Sequence, residues 1–418
     1  MNYYIGFLIN NPNDIFFENN INTYYFYLKF KNENKIILDI NENDVSEFIN
    51  ILNVQENSII VTYDKLYHDF NLTDHNDIDY NDIIHIFVLI FRIFNSKNKT
   101  IQGSFKDLRY LEIYNLDLIV NNDPQLLLRT GIIEINVLNS FLFNDKEIIK
   151  KSIEIIINSN NDDMYLTKKK CWIVTYKDID SVVSYIKKLM TNAGFYINND
   201  KERAFICLEY FCNEYRNAIL KCDYLFNWSF LNCFSLDLLN DKKKTKTLKY
   251  FDCSDNGIYK LLNNKNILFL TPYKNQIDNI YKSGRIYKLR KTINLENIKL
   301  YTIESFLTTY PNTKHEDFME TINYYFKSID EIINNNEINL FTCSAGAYGL
   351  ILCNYVYTKY KITSLYIGHD INRYFGICSN RIENIKLNND FNFENFENSD
   401  LNLKYHNIDK IENNCYGI

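Results

Sequence analysis

A run of small residues follows an apolar, strand-like segment in the last third of the chain. It reads Ser344-Ala345-Gly346-Ala347-Tyr348-Gly349 and leads into a helical pattern. Backbone N–H groups at such a helix start, together with the helix dipole, suit a phosphate or diphosphate, and small side chains let a ligand approach the backbone. Gly346 and Gly349 could equally permit tight packing of the helix on the strand, so the run alone leaves both interpretations open.

A second polar segment follows the next predicted strand. It reads Tyr366-Ile367-Gly368-His369-Asp370-Ile371-Asn372. Ligands of open α/β sheets bind outside the carboxyl ends of the strands, so two such loops together favour a nucleotide site. Asp370 could instead cap the following helix, and His369 could be a hydrogen-bonded surface histidine.

The elements that position these loops alternate regularly after Asn266. Their pattern predicts strands at 267–270, 298–302, 338–343 and 364–367, with helices at 275–281, 318–334 and 347–360 between and after them. Upstream, a strand at 171–176 and helices at 179–190 and 202–221 belong to the same block. Alternating strands and helices specify a doubly wound, mainly parallel sheet with right-handed crossovers, which is a Rossmann-like α/β fold.

The length of 418 residues predicts two domains. Residues 166–385 form the predicted nucleotide-binding domain, and residues 386–418 form a polar tail for which we expect little order. The first block, residues 1–165, is also α/β. It has predicted strands at 3–9, 24–31, 35–40 and 58–63, and predicted helices at 45–52, 82–94 and 145–157, with a linker at 158–163.

Composition excludes several classes of protein. A net charge of −6 gives no electrostatic footprint for nucleic acid, which makes a nucleic-acid partner an unfavoured expectation. The ten cysteines lack metal-site spacing. The N-terminus carries no signal-peptide pattern, and the most apolar run, 83–94, is too short to span a bilayer. We therefore expect a cytoplasmic protein without a membrane span.

The two loops together resemble a bacterial and viral family of glycosyltransferases of the GT-D class. That family carries a GAGAYG turn followed by a GGxxQxxFGIxGxRW segment, which residues 344–349 and 368–382 match in order. The resemblance implies a nucleotide-sugar donor and an unknown glycan or protein acceptor. It implies that the donor-binding residues are Ser344, Gly346, Ala347, Tyr348, Gly349, Gly368, His369, Asp370, Asn372 and Arg381.

Further matches extend the resemblance over residues 170–385. Asn192-Ala193-Gly194-Phe195-Tyr196 is similar to an NAGFY-like motif, and Thr271-Pro272-Tyr273 with Arg285 is similar to a strand-ending PF motif and its helix. The resemblance therefore implies that Asn192, Tyr196 and Arg285 are candidates for lining the site.

The same register places residues 174–180 over the family's strand-ending RFGDGE segment. Asp178 and Asp180 then occupy the acidic positions as a DxD motif, and the resemblance implies that they are catalytic and hold Mn²⁺ or Mg²⁺. Such a cation would bridge the donor diphosphate and stabilise charge on the leaving group. Without the resemblance, the pair is interpreted as a helix N-cap.

The segment departs from the family pattern at several positions. Thr175, Lys177 and Ile179 stand where the family has Arg and two Gly, and Ile179 could obstruct a diphosphate sterically. Ser344 and His369 also replace glycines. These changes bear on catalytic competence more than on fold.

The first block faintly resembles phage-type 3′–5′ exonuclease domains of the RNase H-like fold. Such nucleases need paired carboxylates on the first strand to hold two metal ions. Leu8 and Asn10 stand there instead. The block is therefore either an inactive nuclease-like fold or an unrelated α/β module.

Three functions remain open. The first is a glycosyltransferase that uses the DxD motif. The second is a non-catalytic binding or assembly protein that keeps the glycosyltransferase fold. The third is a nucleic-acid-processing protein with an accessory C-terminal domain.

Overall fold

The computed structural model describes residues 123–159, 162–165, 179–227, 256–379 and 390–407. It also describes the backbone of four short strands at 58–60, 113–114, 173–175 and 246–249. The predicted N-terminal strands at 3–9, 24–31 and 35–40, the helices at 45–52 and 82–94, and the positions Leu8 and Asn10 lie outside the described residues.

The described strands number twelve, and most are short. They are β1 Ser58–Ile60, β2 Ile113–Tyr114, β3 Leu126–Leu128, β4 Ile173–Thr175, β5 Tyr224–Asn227, β6 Lys246–Lys249, β7 Asn266–Thr271, β8 Lys299–Glu304, β9 Leu340–Cys343, β10 Thr363–Tyr366, β11 Ile377–Cys378 and β12 Glu397–Asn398.

The described α-helices range from one turn to more than five turns. They are α1 Ile132–Phe143, α2 Lys146–Ile157, α3 Ile179–Asn192, α4 Lys201–Lys221, α5 Asn256–Leu262, α6 Lys274–Lys282, α7 Phe318–Asn335, α8 Gly349–Tyr360 and α9 Leu401–Lys404. Among the described residues, no helix combines the length and apolar character needed to cross a membrane.

The chain divides into two compact units. The smaller comprises residues 1–111 and 167–181, and the larger comprises residues 112–166 and 182–418. In the smaller unit, β1 and β4 form an antiparallel two-stranded sheet with Ser58 opposite Thr175.

An eight-stranded sheet organises the larger unit. Its order is β2-β6-β5-β3-β10-β9-β7-β8, and every neighbouring pair is parallel. Side chains are described for the six strands from β5 to β8 in that order. The predicted α/β class with a parallel sheet is confirmed.

Helices cover both faces of this sheet. On one face, α8 packs on β3, β9 and β10 and against α4 and α7, while α1 and α2 pack against α4. On the other face, α5 and α6 contribute Ile258, Ile277 and Ile280 to a core with Leu127, Phe269 and Leu365. Residues one apart on a strand point to opposite faces, so each strand supplies both cores.

The elements predicted after Asn266 all form. The observed strands β7 to β10 and helices α6 to α8 differ from the predicted bounds by a few residues at most. The predicted strand at 171–176 also forms, as β4, but it pairs with β1 outside the parallel sheet. Residues 126–128 and the helices α1 and α2 belong to the larger unit, although the sequence predicts them in the first block.

The expectation of little order after residue 386 is wrong for residues 390–407. This segment carries β12 and α9, and it places Leu401 and Phe391 in buried positions. The Asp390 carboxylate pairs with the Arg290 guanidinium. The segment is polar overall, but the apolar side chains dispersed among its asparagines are buried and stabilise its structure.

Helix α7 shows how sequence fixes a local element. Its N-cap, Asp317, accepts a hydrogen bond from the Glu320 N–H at 2.9 Å and one from Arg203 Nε at 2.5 Å. Burial acts to raise the pKa of Asp317, but the bonds from Arg203 and the backbone outweigh it and lower the pKa. The start of α7 is therefore tied to α4.

We predict that Gly349→Ala destabilises the larger unit. A Cβ at Gly349 would stand 1.9 Å from the Tyr366 ring, where strand β10 meets the start of α8. Such overpacking costs about 1–3 kcal/mol, which should lower the urea midpoint of unfolding.

The matched control is Gly284→Asn. Gly284 has φ +73°, and a Cβ at this position would have no other atom within 4 Å. Asparagine enters the left-handed region more readily than other side chains, so this substitution adds limited backbone strain and no overpacking. Equal midpoints for the two variants would contradict the packing described here.

Candidate functional site

The carboxyl edge of the sheet opens where neighbouring strands send their chains to opposite faces. Helices α1 and α8, which follow β3 and β9, lie on the α4 face. Helix α6 and the 3₁₀ segment Gly368–Phe375, which follow β7 and β10, contribute to the core of the other face. In the order β3-β10-β9-β7, successive connections therefore diverge, and ligands of open α/β sheets bind in such crevices.

The predicted phosphate loop lies at this edge, but its glycine serves packing. Gly346 has φ +50°, and a Cβ there would stand 2.2 Å from the Ala193 carbonyl oxygen. That carbonyl accepts the Ala347 N–H at 2.8 Å, and the Tyr348 N–H bonds to the Ala345 carbonyl at 3.0 Å. The backbone of the Asn192–Tyr196 motif thus fills the space beside Gly346 and accepts the Ala347 N–H.

Gly349 also has a packing role, because it admits the Tyr366 ring against the first turn of α8. Tyr348 is fully buried, stacks on Phe318 with ring centroids 4.4 Å apart, and lies 3.2 Å from Thr308 through its hydroxyl. Burial strongly raises the pKa of its hydroxyl. Ala347, Tyr348 and Gly349 are therefore buried and pack the loop against its neighbours.

Asn372 is the centre of a buried polar network. Its Oδ1 accepts the Thr271 hydroxyl at 2.9 Å, and its Nδ2 donates to the Ser344 hydroxyl and the His369 carbonyl, each at 2.9 Å. These bonds join the ends of β7, β9 and β10. The structure thus brings together Ser344, His369 and Asn372, as predicted, and Asn372 is hydrogen-bonded to the other two.

His369 lies inside this network. Its Nδ1 is 3.3 Å from Asn372 Nδ2, and its Nε2 is 3.1 Å from Ser379 Oγ. The Tyr273 ring packs edge-on against it at 5.9 Å.

Arg129 is a charged residue at this edge that the sequence patterns do not single out. Its backbone N–H bonds to the Tyr366 carbonyl at 2.8 Å, which extends the pairing of β3 and β10. Its Nη1 donates to the Ile367 carbonyl at 3.0 Å and to the Asp370 carboxylate at 2.5 Å. Gly368, with φ +68°, lies against its guanidinium.

A signal for Arg129 is present in the sequence. Residues 129–134 read Arg-Thr-Gly-Ile-Ile-Glu, which keeps the Arg, Gly and Glu of the RFGDGE pattern at the same spacing. This segment follows β3 of the parallel sheet, whereas Ile173–Thr175 form β4 of the separate two-stranded sheet. Residues 129–134 thus share the Arg, Gly and Glu spacing of that pattern at the end of a strand.

Glu134 stands at the acidic end of this segment. Its side chain is 8% exposed and lies against Gly131, where a Cβ would be 1.8 Å from Glu134 Oε2. The Gly131 N–H donates to the hydroxyl of the fully buried Tyr215 at 3.0 Å. Ile132 stands where the family pattern has Asp, so this segment supplies one carboxylate.

The predicted acidic motif is only partly described. Asp178 and Arg381 lie outside the described residues, and Asp180 is exposed in the first turn of α3. No cluster of three or more His, Cys, Asp or Glu side chains suited to a metal occurs among the residues that the structure describes.

The three candidates for lining the site have different surroundings. Asn192 contacts the Thr191 hydroxyl at 3.0 Å, and Tyr196 accepts the Phe318 N–H through its carbonyl. Burial and the Asp317 charge raise the pKa of Tyr196. Arg285 follows the last turn of α6 and pairs with Glu397 at 2.5 Å. The nine residues of α6 separate it from the end of β7 by about 13 Å.

We predict that Asn372→Leu destabilises the larger unit, because the buried Ser344 and Thr271 hydroxyls lose a partner. Each buried polar group left without a partner costs about 1–3 kcal/mol. Urea unfolding measures the loss, with Asn335→Leu at the exposed end of α7 as the matched control. Equal stability of the two variants would show that the network does not hold the strand ends.

Comparison with known proteins gives no match. No protein-family model matches the chain, and no curated protein or solved structure is significantly similar to it. A functional assignment therefore rests on the residues and geometry of this chain and on the motif resemblance.

Proposed function

We propose that the larger unit is a glycosyltransferase-type domain that binds a nucleotide-sugar at the carboxyl edge of its sheet. One observation supports this most directly. Ser344 and Asn372, from two loops that the motif resemblance assigns to donor binding, bond to each other across the ends of β9 and β10. The parallel sheet with helices on both faces supports a Rossmann-like, GT-D-like assignment of the fold.

The chemistry of the edge suits a polar, anionic ligand. Gly368 adopts a left-handed φ of +68° and brings its backbone to the surface of the Arg129 guanidinium without an intervening side chain. Diverging connections on either side of β10 leave the crevice in which ligands of such sheets bind. A diphosphate-linked sugar presents both the charge and the hydroxyl groups that this lining can bind.

Sugar transfer would need a divalent cation in addition to the bound donor. A divalent cation would stabilise charge on the leaving diphosphate, and Asp178 and Asp180 are the proposed ligands. Of these two residues, the structure describes Asp180. The Glu134 side chain packs against Gly131 at the start of its own helix. We therefore assign no step of a sugar transfer to a particular residue.

A second candidate is a non-catalytic binding protein with the same fold. The observation that favours it is that the strand-ending segment 129–134 supplies one carboxylate, Glu134, where a DxE-type pair would supply two. Ile132 and Ile133 in place of Asp and Gly, within the segment 129–134, point the same way. Both candidates predict ligand binding, and they differ in turnover.

We predict that a nucleoside-diphosphate sugar stabilises the full chain against heat. Unfolding is followed with uridine-, guanosine- and thymidine-diphosphate sugars, each with Mn²⁺, Mg²⁺ or a chelator. A ligand at one hundred times its dissociation constant adds about 2.7 kcal/mol of stability, which raises the Tm by several degrees. Free monosaccharides and nucleosides are the controls, and no shift with any donor would refute donor binding.

Asp180→Asn in the same assay separates binding from metal chemistry. If Asp180 holds the cation, the variant keeps its fold but loses the metal-dependent part of the shift, and any turnover falls by about 10²- to 10³-fold. Asp145→Asn removes an equally exposed charge that makes no capping bond. An unchanged metal dependence in Asp180→Asn would remove the proposed role of Asp180.

A further inference from the structure

The Arg129–Asp370 ion pair joins the segments that follow β3 and β10. The guanidinium and carboxylate lie 2.5 Å apart with 11% and 16% of their side chains exposed. Arg129 follows the last residue of β3, and Asp370 lies in the first turn of the 3₁₀ segment that leaves β10. Two strand ends whose chains diverge are thus connected by opposite charges at the place where a ligand would enter.

The energetics of such an ion pair allow a ligand anion to replace the carboxylate. Desolvation offsets much of the attraction in a mostly buried ion pair, so its net contribution to stability is small. Leaving the arginine without any anion would be costly, but another anion can take the place of the carboxylate. A diphosphate offers several oxygens and more charge, and a guanidinium binds it through paired N–H donors.

The backbone around Arg129 can remain in place during this exchange. The Ile367 carbonyl accepts a second hydrogen bond from Arg129 Nη1 at 3.0 Å, which orients the guanidinium independently of Asp370. Gly368 has no side chain, and a Cβ there would stand 3.2 Å from Arg129 Nη2. Rotation of the Asp370 side chain would therefore uncover the N–H of Arg129 Nη1 that the carboxylate accepts, while the bond to the Ile367 carbonyl remains.

We propose that Arg129 is the diphosphate-binding residue of this edge and that Asp370 is its internal competitor. The carboxylate occupies the guanidinium in the ligand-free protein, and the donor diphosphate displaces it. Affinity for the ligand is therefore set by the difference between two anions for one cation. This inference rests on the proposed function, because it specifies which group binds the donor.

The test is the binding of uridine, guanosine and thymidine diphosphates and of inorganic pyrophosphate to the full chain by calorimetry. Asp370→Asn removes the competing charge and should tighten binding about tenfold, which corresponds to about 1.4 kcal/mol. Arg129→Gln should abolish binding. Glu397→Gln removes the carboxylate of the Arg285–Glu397 pair, which has the same 2.5 Å separation, and should leave binding unchanged.

The outcomes separate this inference from the proposed function. If the wild type binds and Asp370→Asn binds no more tightly, Asp370 is not an internal competitor. If binding survives in Arg129→Gln, Arg129 is not the diphosphate-binding residue. No binding by either the wild type or Asp370→Asn overturns both proposals. Binding by Asp370→Asn alone supports the competitor. If Asp370→Asn does not fold, Asp370→Ser is a second neutral variant with the same expected result.

Discussion

The Asn372 amide joins strand ends that belong to separate crossovers of the sheet. It accepts from Thr271, the last residue of β7, and donates to Ser344 after β9, while its own segment leaves β10. These bonds hold the 3₁₀ segment Gly368–Phe375 across the edge. The positions of His369 and Asp370 follow from this crossing, and so does the placement of Asp370 against Arg129. The candidate site therefore depends on one buried side chain with no charge of its own.

Local sequence patterns predict much of the larger unit. Alternating apolar runs and helical periodicity after Asn266 correspond to β7 to β10 and α6 to α8, because each element is specified within its own residues. The two glycine-containing loops are also found at neighbouring strand ends. Gly346 lies at the predicted strand end. The structure shows a packing reason for a glycine there, because the Ala193 carbonyl, which is distant in sequence, fills the space beside it.

What the sequence does not reveal depends on long-range pairing. Strand β3 is only Leu126–Leu128, and its partner β10 lies more than two hundred residues away, as the bond from Gln125 to Thr363 across 238 residues illustrates. A three-residue apolar run carries too little periodicity to be assigned to a sheet. Arg129 is overlooked for that reason. Two segments, 129–134 and 174–180, can then be aligned with the RFGDGE pattern, and they end strands of different sheets.

Ligand binding at this edge depends on whether the ligand or the protein's own groups form the stronger bonds with the polar side chains. The polar groups of the edge are paired within the protein, so a ligand must exchange bonds with them. The Arg129–Asp370 pair is suited to such exchange because one anion can replace another at a retained cation. A binding role requires only this exchange. Sugar transfer requires in addition a cation or base, for which Asp178 and Asp180 are the proposed source.

The most direct measurement is hydrogen–deuterium exchange of the full chain with and without uridine diphosphate or pyrophosphate. Binding at the carboxyl edge should slow exchange in peptides that cover residues 129–134 and 368–375, where the ligand orders the strand ends. Peptides from the far end of α6, around Arg285, should be unaffected. Protection confined to segments away from the ends of β3 and β10 would contradict a ligand site at this edge.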